Sequence, residues 1–311
     1  VTLGNDGNLY GTAYAGGGGP GSVFTVNPAT RAFATLIWFG GAIGAYPSVG
    51  LALANDGKFY GSTTASGGTL FQLDPAGTLT TLYSFTNSDA GSGPEGLLLQ
   101  TSDGSFYGTT SAGGAHGGGT VFKFTTNGGL ATLYSFGAVT NWDGSALDGG
   151  DSLAGLVTGP DGDLYGTTYS GGYNNSGTVF KITTNGTLTT LAWLDGSTGS
   201  HPVARLALGT DGNFYGTTEY GGANGFGTIF QLVIPPSAPW IQAVSAAGGM
   251  INLAWSATAG QTYQVQYRAD LSQGNWVNLG CPIVATAAQL NVTDDLTHSQ
   301  RFYRVLRLQG P

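Results

Sequence analysis

A phrase spoken five times constrains this chain more than anything else in it. Asp-Gly-x-[Leu/Phe]-Tyr-Gly-[Thr/Ser] begins at Asp6, Asp56, Asp103, Asp161 and Asp211. Its tyrosines, Tyr10, Tyr60, Tyr107, Tyr165 and Tyr215, are 50, 47, 58 and 50 residues apart. A period of that size marks a repeat architecture, in which each unit is one small supersecondary structure that buries its apolar faces against its neighbours.

Each unit divides into four short runs with strand character. In the second, Gly50–Ala54 alternates small and apolar residues, and Asn55-Asp56-Gly57 supplies a hairpin turn. Lys58–Ser62 is the next run, Thr69–Leu73 follows a Gly-rich loop, and Asp74-Pro75-Ala76-Gly77 turns into Leu79–Phe85. Four antiparallel strands per unit, repeated, predict an all-β fold: a five-bladed β-propeller over residues 1–234. The Leu-Ala-Leu run is read as the innermost strand, a, and the Thr-Leu-x-x-Phe run as the outermost, d. The fifth unit has runs a to c and then no Thr-Leu-x-x-Phe run. Its edge is therefore expected to stand unpaired and to offer a route to self-association.

After Pro235-Pro236-Ser237-Ala238-Pro239 the pattern changes. Ile251–Trp255, Tyr263–Tyr267, Trp276–Leu279 and Phe302–Leu306 alternate at close spacing, which predicts a small β-sandwich of fibronectin or immunoglobulin type over residues 235–311, with Trp255 in its core.

Together, the units of the form Asp-Gly-x-[Leu/Phe]-Tyr-Gly-Thr-Thr-x-x-Gly-Gly, Gly-Thr-[Val/Ile]-Phe and Thr-Leu-x-x-[Phe/Leu] resemble the GloVer-type tandem repeats of bacterial choice-of-anchor proteins. The likeness covers residues 1 to about 232. The tail, with Tyr263–Tyr267, Asn275–Gly280 and Arg301–Val305, looks like a C-terminal module of secreted bacterial proteins. The resemblance implies export and a surface location, and it brings no catalytic residues with it. Two places depart from the pattern: a shortened loop at 65–68 and an insertion around 143–151.

Composition narrows the function. Gly is 56 of 311 residues, yet aromatics are 12% and apolar residues 41%, too much material to bury for a disordered chain. A net charge of −8 with nine Lys and Arg argues against a nucleic-acid partner. No apolar run is long enough to span a membrane. Cys281 is alone, so no disulfide within the chain is expected. Val1 falls inside a repeat unit, and the numbering is read as starting after a processed or truncated N-terminus. An extracellular or cell-surface location is expected.

In the predicted blade, the b–c and d–a connections open on one face, and the variable residues of this chain all lie there, as on a scaffold with one working face. Tyr46, Trp142, Tyr169, Tyr173 and Tyr220 are the candidates for binding a polysaccharide or cell-surface glycan, because rings stack on pyranoses while nearby Asn, Asp and Thr bond the hydroxyls. Surface adhesion through the same face is the companion reading. For a glycoside hydrolase or polysaccharide lyase, the candidates are Glu219, Asp195, Asp143, His116 and His201. Asp143, Asp148 and Asp151, spaced by glycines, form the one oxygen-rich loop that calcium would suit; no other cofactor is indicated. A structural subunit of an extracellular assembly is the third reading. The aspartates of the five Asp-Gly pairs are read as turn formers.

Overall fold

The computed structural model describes the whole chain except residues 17–18, 235–238, 240, 259, 273, 288, 296–299 and 309–311. Two compact units emerge, one of Val1–Leu208 with Phe214–Leu232, the other of Gly209–Asn213 with Val233–Pro311. The Pro235-Pro236 stretch expected to act as a linker lies outside the described residues.

The first unit is a series of antiparallel meanders in which sequence neighbours pair. Sheet I is β1 (Thr2–Leu3), β2 (Leu9–Ala13), β3 (Ser22–Val26) and β4 (Phe33–Trp38). Sheet II is β5 (Ala52–Leu53), β6 (Phe59–Thr63), β7 (Thr69–Leu73) and β8 (Leu79–Ser84). Sheet III is β9 (Leu99–Gln100), β10 (Phe106–Thr110), β11 (Thr120–Phe124) and β12 (Leu130–Ser135). Sheet IV is β13 (Val157–Thr158), β14 (Leu164–Thr168), β15 (Thr178–Ile182) and β16 (Leu188–Trp193). Among the described residues, sheet V has three strands, β17 (Ala207–Leu208), β18 (Phe214–Thr217) and β19 (Ile229–Leu232).

The repeated phrase explains both the strands and their packing. Alternation along the second strand sends its tyrosine to the next sheet and the preceding Phe or Leu to the previous one. Tyr10 thus meets Phe59 at 4.2 Å between ring centroids, Tyr60 meets Phe106 at 4.3 Å, and Tyr165 meets Phe214 at 4.4 Å. Leu164 takes the Phe position where sheets III and IV meet, in one cluster with Tyr107. A second ring pair backs three of these interfaces: Phe39 on Phe71, Phe85 on Phe122 and Phe136 on Phe180. In each of the first four sheets the outer pairing carries a bulge at the same place, as between Val179 and Phe180. The segments leading into β5, β9, β13 and β17, together with Val1 and Thr2, line a cavity of about 300 Å³, walled by Val49, Leu97, Leu153, Val203 and Arg205.

The motif tyrosine also has a polar task. Its hydroxyl donates to the aspartate four residues earlier at 2.8 Å in Tyr10–Asp6, Tyr60–Asp56 and Tyr165–Asp161. The Asp is therefore more than a turn former: it latches the turn to the buried ring. Burial first, and then the Asp partner, raise the Tyr10, Tyr60 and Tyr165 phenols above their usual value. A raised phenol pKa means that the folded state favours the neutral ring. The stabilisation is complete below the unfolded value near pH 10 and is lost as pH climbs from there toward the folded value. The melting temperature should accordingly fall steeply above about pH 10. Tyr60→Phe should flatten that fall while lowering the neutral-pH melt by about 1 kcal/mol of stability, the usual worth of one hydrogen bond. Calorimetry from pH 8 to 11.5 checks both; an identical alkaline slope for the variant would count against the latch.

Among the described residues, the second unit has six strands in two three-stranded sheets. They are β20 (Ile241–Ala247), β21 (Met250–Ser256), β22 (Thr262–Arg268), β23 (Val277–Val284), β24 (Gln289–Asp295) and β25 (Phe302–Leu308). One sheet runs β20-β21-β24, the other β23-β22-β25. Leu253 and Trp255 of the first share a core with Tyr263 and Val265 of the second. The sequence reading had four of these strands. It missed β20, whose apolar alternation is diluted by Gln, Ser and Ala, and β24, whose run is broken by Asn and Asp. Both are recruited by pairing with β21, a tertiary effect that outweighs weak local preference.

Candidate functional site: the loop rim of the repeat unit

Every passage from one sheet to the next contains a residue in the left-handed region: Tyr46 (φ 60°), Gly93 (φ 65°), Asp151 (φ 53°) and His201 (φ 58°). These four occupy equivalent positions. The amide of each donates to a loop carbonyl of the sheet behind, namely Pro20, Gly67, Gly118 and Ser176, at 2.7–3.0 Å. The carbonyl of each accepts from a loop amide of the sheet ahead, namely Thr64, Ser111, Tyr169 and Glu219, at 2.9–3.1 Å. The loops between second and third strands and those between sheets are thereby clasped into one rim. Holding a non-glycine residue left-handed costs about 1–2 kcal/mol, which the two clasping bonds offset.

The clasp needs the glycine two residues before it. Gly44, Gly91, Gly149 and Gly199 sit against a threonine pair that closes the loop, buried in the first three and partly buried in the fourth. Thr63–Thr69, Thr110–Thr120, Thr168–Thr178 and Thr218–Thr228 join hydroxyl to hydroxyl at 2.8–3.0 Å. This pair accounts for the recurrent Gly-Thr-Thr and Gly-Thr-[Val/Ile]-Phe, which carry no phosphate chemistry.

Three ring clusters stand on the rim. Tyr14 packs on Tyr46 at 5.1 Å, both exposed. Tyr173 packs edge-on against Trp193 at 4.9 Å, both exposed, and the Trp193 indole donates to the Leu147 carbonyl at 2.8 Å. At the junction of sheets IV and V, His201 lies between Tyr169 at 4.5 Å and Tyr220 at 5.8 Å. Glu219 joins this third cluster: its amide is clasped by His201, and its carboxylate raises the Tyr220 phenol through a hydrogen bond. Four of the residues singled out from sequence, Tyr169, His201, Glu219 and Tyr220, are thus brought together.

The others stand apart and are mostly occupied. Trp142 is 96% exposed in the turn 141–145. The Asp195 carboxylate accepts from the Thr198 amide and from the Ser197 and Thr198 hydroxyls, all at 2.8 Å. Led by the Thr198 amide, these donors hold it down to about 2. Asp143 accepts from the Ser145 hydroxyl at 2.6 Å and the Ser145 amide at 2.9 Å, which lower it likewise. His116 is exposed, with its amide on the Ser135 hydroxyl. Asp148 is buried and accepts from the Tyr134 hydroxyl and the Gly137 and Ala138 amides, anchoring the inserted loop from inside. Asp151 accepts from the Ser170 hydroxyl at 2.7 Å. Asp143, Asp148 and Asp151 do not converge: among the described residues no three His, Cys, Asp or Glu are grouped to hold a metal ion.

Sequence reasoning passed over Trp193 as a rim ring, because it ends a strand of the regular d pattern. It also passed over the left-handed clasp. The signal was there, in Gly44-Ala45-Tyr46-Pro47, Gly91-Ser92-Gly93-Pro94 and Gly199-Ser200-His201-Pro202. A proline fixed just after the same offset from glycine points to a constrained backbone.

The Gloeobacter/Verrucomicrobia repeat model matches residues 1–150 and, in a second overlapping stretch, residues 68–246. The chain belongs to this repeat family. No curated protein matches it at a significant level. Among solved structures, the Gloeobacter/Verrucomicrobia repeat chain is similar to TolB from Acinetobacter baumannii, at 14% identity and a TM-score of 0.45, over 80% of this chain and 60% of that one. It is also similar to the extracellular domain of BT4673 from B. thetaiotaomicron, at 13% identity and a TM-score of 0.46, over 99% of this chain and 42% of that one. A third is the gluconolactonase XC5397 from Xanthomonas campestris, at 12% identity and a TM-score of 0.41, over 75% of each chain. The chain therefore spans less than two thirds of the first two structures it resembles.

Proposed function

We propose that this repeat-family chain is an extracellular or cell-surface binding protein. In this reading sheets I–V are the blades of a five-bladed β-propeller, residues 235–311 form a fibronectin- or immunoglobulin-like sandwich, and the clasped rim binds a polysaccharide or cell-surface glycan. One observation carries the reading: three clusters of rings, Tyr14–Tyr46, Tyr173–Trp193 and Tyr169–His201–Tyr220, stand on one rim, two of them built on left-handed residues. The clasp holds Tyr46 and His201 in fixed positions on the rim, so the rings packed on them are presented in a defined geometry. Each cluster offers an apolar ring face beside hydroxyls and backbone carbonyls, the materials that stack on and bond a pyranose. The rim carboxylates Asp195 and Asp143 are held ionised by their own turn donors, which suits recognition of hydroxyls better than general-acid work, for which a raised pKa is the usual device.

A glycan array followed by calorimetric titration of the best hit tests this. Tyr173→Ala and Tyr220→Ala should each weaken binding roughly tenfold, the worth of one stacked ring, and the double variant should abolish it. Both rings are exposed, so the melting temperature should hold within about 2 °C, as for surface substitutions in general. Array hits indifferent to all these rings, or release of sugar product from them, would refute the binding assignment.

A further inference from the structure

The second unit departs from the rest of the chain in its charge. Residues 233–311 hold four of the nine Lys and Arg but only three of the seventeen Asp and Glu. Arg301 shows how one of these arginines is kept. It lies over the Tyr267 ring at 4.3 Å and is paired with Asp294 and Asp295. Arg268 and Arg304 are held differently. Both lie over one indole, Trp276, at 4.7 Å and 4.3 Å from the ring centroid. Among the described residues neither makes an ion pair, and none of the remaining residues is an Asp or Glu. Two like charges gathered on one ring repel each other, a cost that a neighbouring acid would remove and that this face leaves standing.

The two guanidiniums are also positioned. Alternation sends Tyr263 and Val265 of β22 into the core, and Gln266 and Arg268 to the other side of the β23-β22-β25 sheet or its edge. Gln266 pairs with Asn278 of β23 and with Arg304 of β25. Its side chain joins both: the Arg304 Nε donates to the Gln266 Oε1 at 2.9 Å, and the Gln266 Nε2 donates to the Asn278 Oδ1 at 2.7 Å. Arg268 donates to the Leu271 carbonyl, and its Nε is buried with no acceptor. Arg304 is exposed and Trp276 half-buried. A guanidinium stacked on a ring uses its face and leaves its in-plane N–H edge free, the fork that matches a carboxylate.

We propose that this sheet face binds the carboxylates of an acidic polysaccharide, a polyuronate, with Arg268 and Arg304 as the carboxylate forks and Trp276 as the platform that holds both. The charge left without a counter-ion asks for an anion, and the planar fork favours a carboxylate over a tetrahedral oxyanion. The neutral groups beside the forks suit a sugar. The exposed Asn278 uses its carbonyl oxygen on Gln266 and has its NH₂ left for a hydroxyl. The site is independent of the rings on the rim: it lies in the other unit and asks for charge, where the rim asks for apolar ring faces.

Calorimetric titration of the full chain with hexamers of galacturonate, mannuronate and glucuronate tests this, beside the methyl ester of the best binder. Saturable binding is expected for at least one acid. Its methyl ester keeps every hydroxyl and loses only the charge, and should bind at least about tenfold more weakly. Affinity should fall as salt rises, as for exposed charges. Arg304→Gln should weaken binding by about tenfold, and Arg304→Lys nearly as much, because an ammonium keeps the charge without the planar fork. Arg304 is exposed, so both variants should keep the wild-type melting temperature within about 2 °C. Tyr173→Ala and Tyr220→Ala should leave uronate binding unchanged, which separates this site from the rim. Absence of binding to all three acids overturns the proposal, as does equal binding of acid and ester, or indifference to both Arg304 variants. Tighter binding of a hexasaccharide sulfated to the same charge, or of hexaglutamate, also overturns it, because the face would then belong to a sulfate or an acidic peptide.

Discussion

Gly149→Ala lowers the melting temperature by roughly 5–15 °C, the expected result if the rim clasp is what fixes the loops. Gly149 has φ 107°, and a Cβ there would lie 2.4 Å from the Thr168 hydroxyl, 2.5 Å from its methyl and 2.8 Å from the Thr178 hydroxyl. The left-handed backbone costs an alanine about 1–2 kcal/mol. Overpacking against two buried threonines that hydrogen-bond to each other adds about 1–3 kcal/mol, since neither can rotate without losing that bond. Gly144→Ala is the matched control: its φ is 88°, and nothing lies within 4 Å of the added methyl. It should show the backbone part alone, about 1–2 kcal/mol. Calorimetry on the two variants separates the terms. Equal losses would mean that close contact at Gly149 contributes nothing.

The second large effect is expected in the other unit. Asp294 is 6% exposed, bonded to the Arg301 guanidinium and, at 2.8 Å, to the Tyr303 hydroxyl. Burial works against its charge, yet Arg301 and then Tyr303 hold the carboxyl below its usual range. Asp294→Ala removes the acceptor and leaves a nearly buried guanidinium short of its main counter-charge, a change that costs about 3–5 kcal/mol in comparable sites. Hydrogen–deuterium exchange should show faster uptake across β21, β22 and β25, with sheets I–V unchanged. The pH dependence has a definite sign. A lowered carboxyl pKa gives stability that is present above the unfolded value near 3.9 and is lost as pH falls through the folded value. The wild-type unit should therefore loosen in acid below about pH 4, and the variant should lack that step. Unchanged exchange in β21 and β22 would show the ion pair to be dispensable.

Part of the site could be read before any coordinates. The rim rings Tyr46, Tyr169, Tyr173 and Tyr220 were picked out because antiparallel meanders must send alternate connections to the same end. Glu219 and His201 were selected for unrelated reasons, as an acid and a base, and no spacing rule could have shown that they share one cluster. They are separated by the whole of β17 and β18, and the antiparallel bridge between Ser200 and Tyr220 brings them together. The aspartates misled in the opposite direction. Asp148 looks like a calcium ligand in a Gly-rich stretch, but its oxygens are already taken by Tyr134 and two amides, and burial is invisible in composition. Asp195 has the letters of a catalytic acid and the donors of a turn.

What the sequence alone determined is local and periodic: five Asp-Gly turns, the strand runs between them, and an alternation that gives each sheet two apolar faces. Those follow from backbone sterics and from the two-residue repeat of a strand, which act over a few residues. The tertiary structure decided which ring meets which, which carboxylates are spent on structure, and that four junctions share a left-handed clasp while sheet V keeps an edge strand. The Tyr–Phe contacts between sheets join residues 46 to 49 positions apart and the clasps residues 18 to 33 apart, while the Asp148 and Asp195 carboxylates are taken by donors within 14 residues. Their energies come from burial and from completed hydrogen bonds, and neither exists until the sheets are side by side.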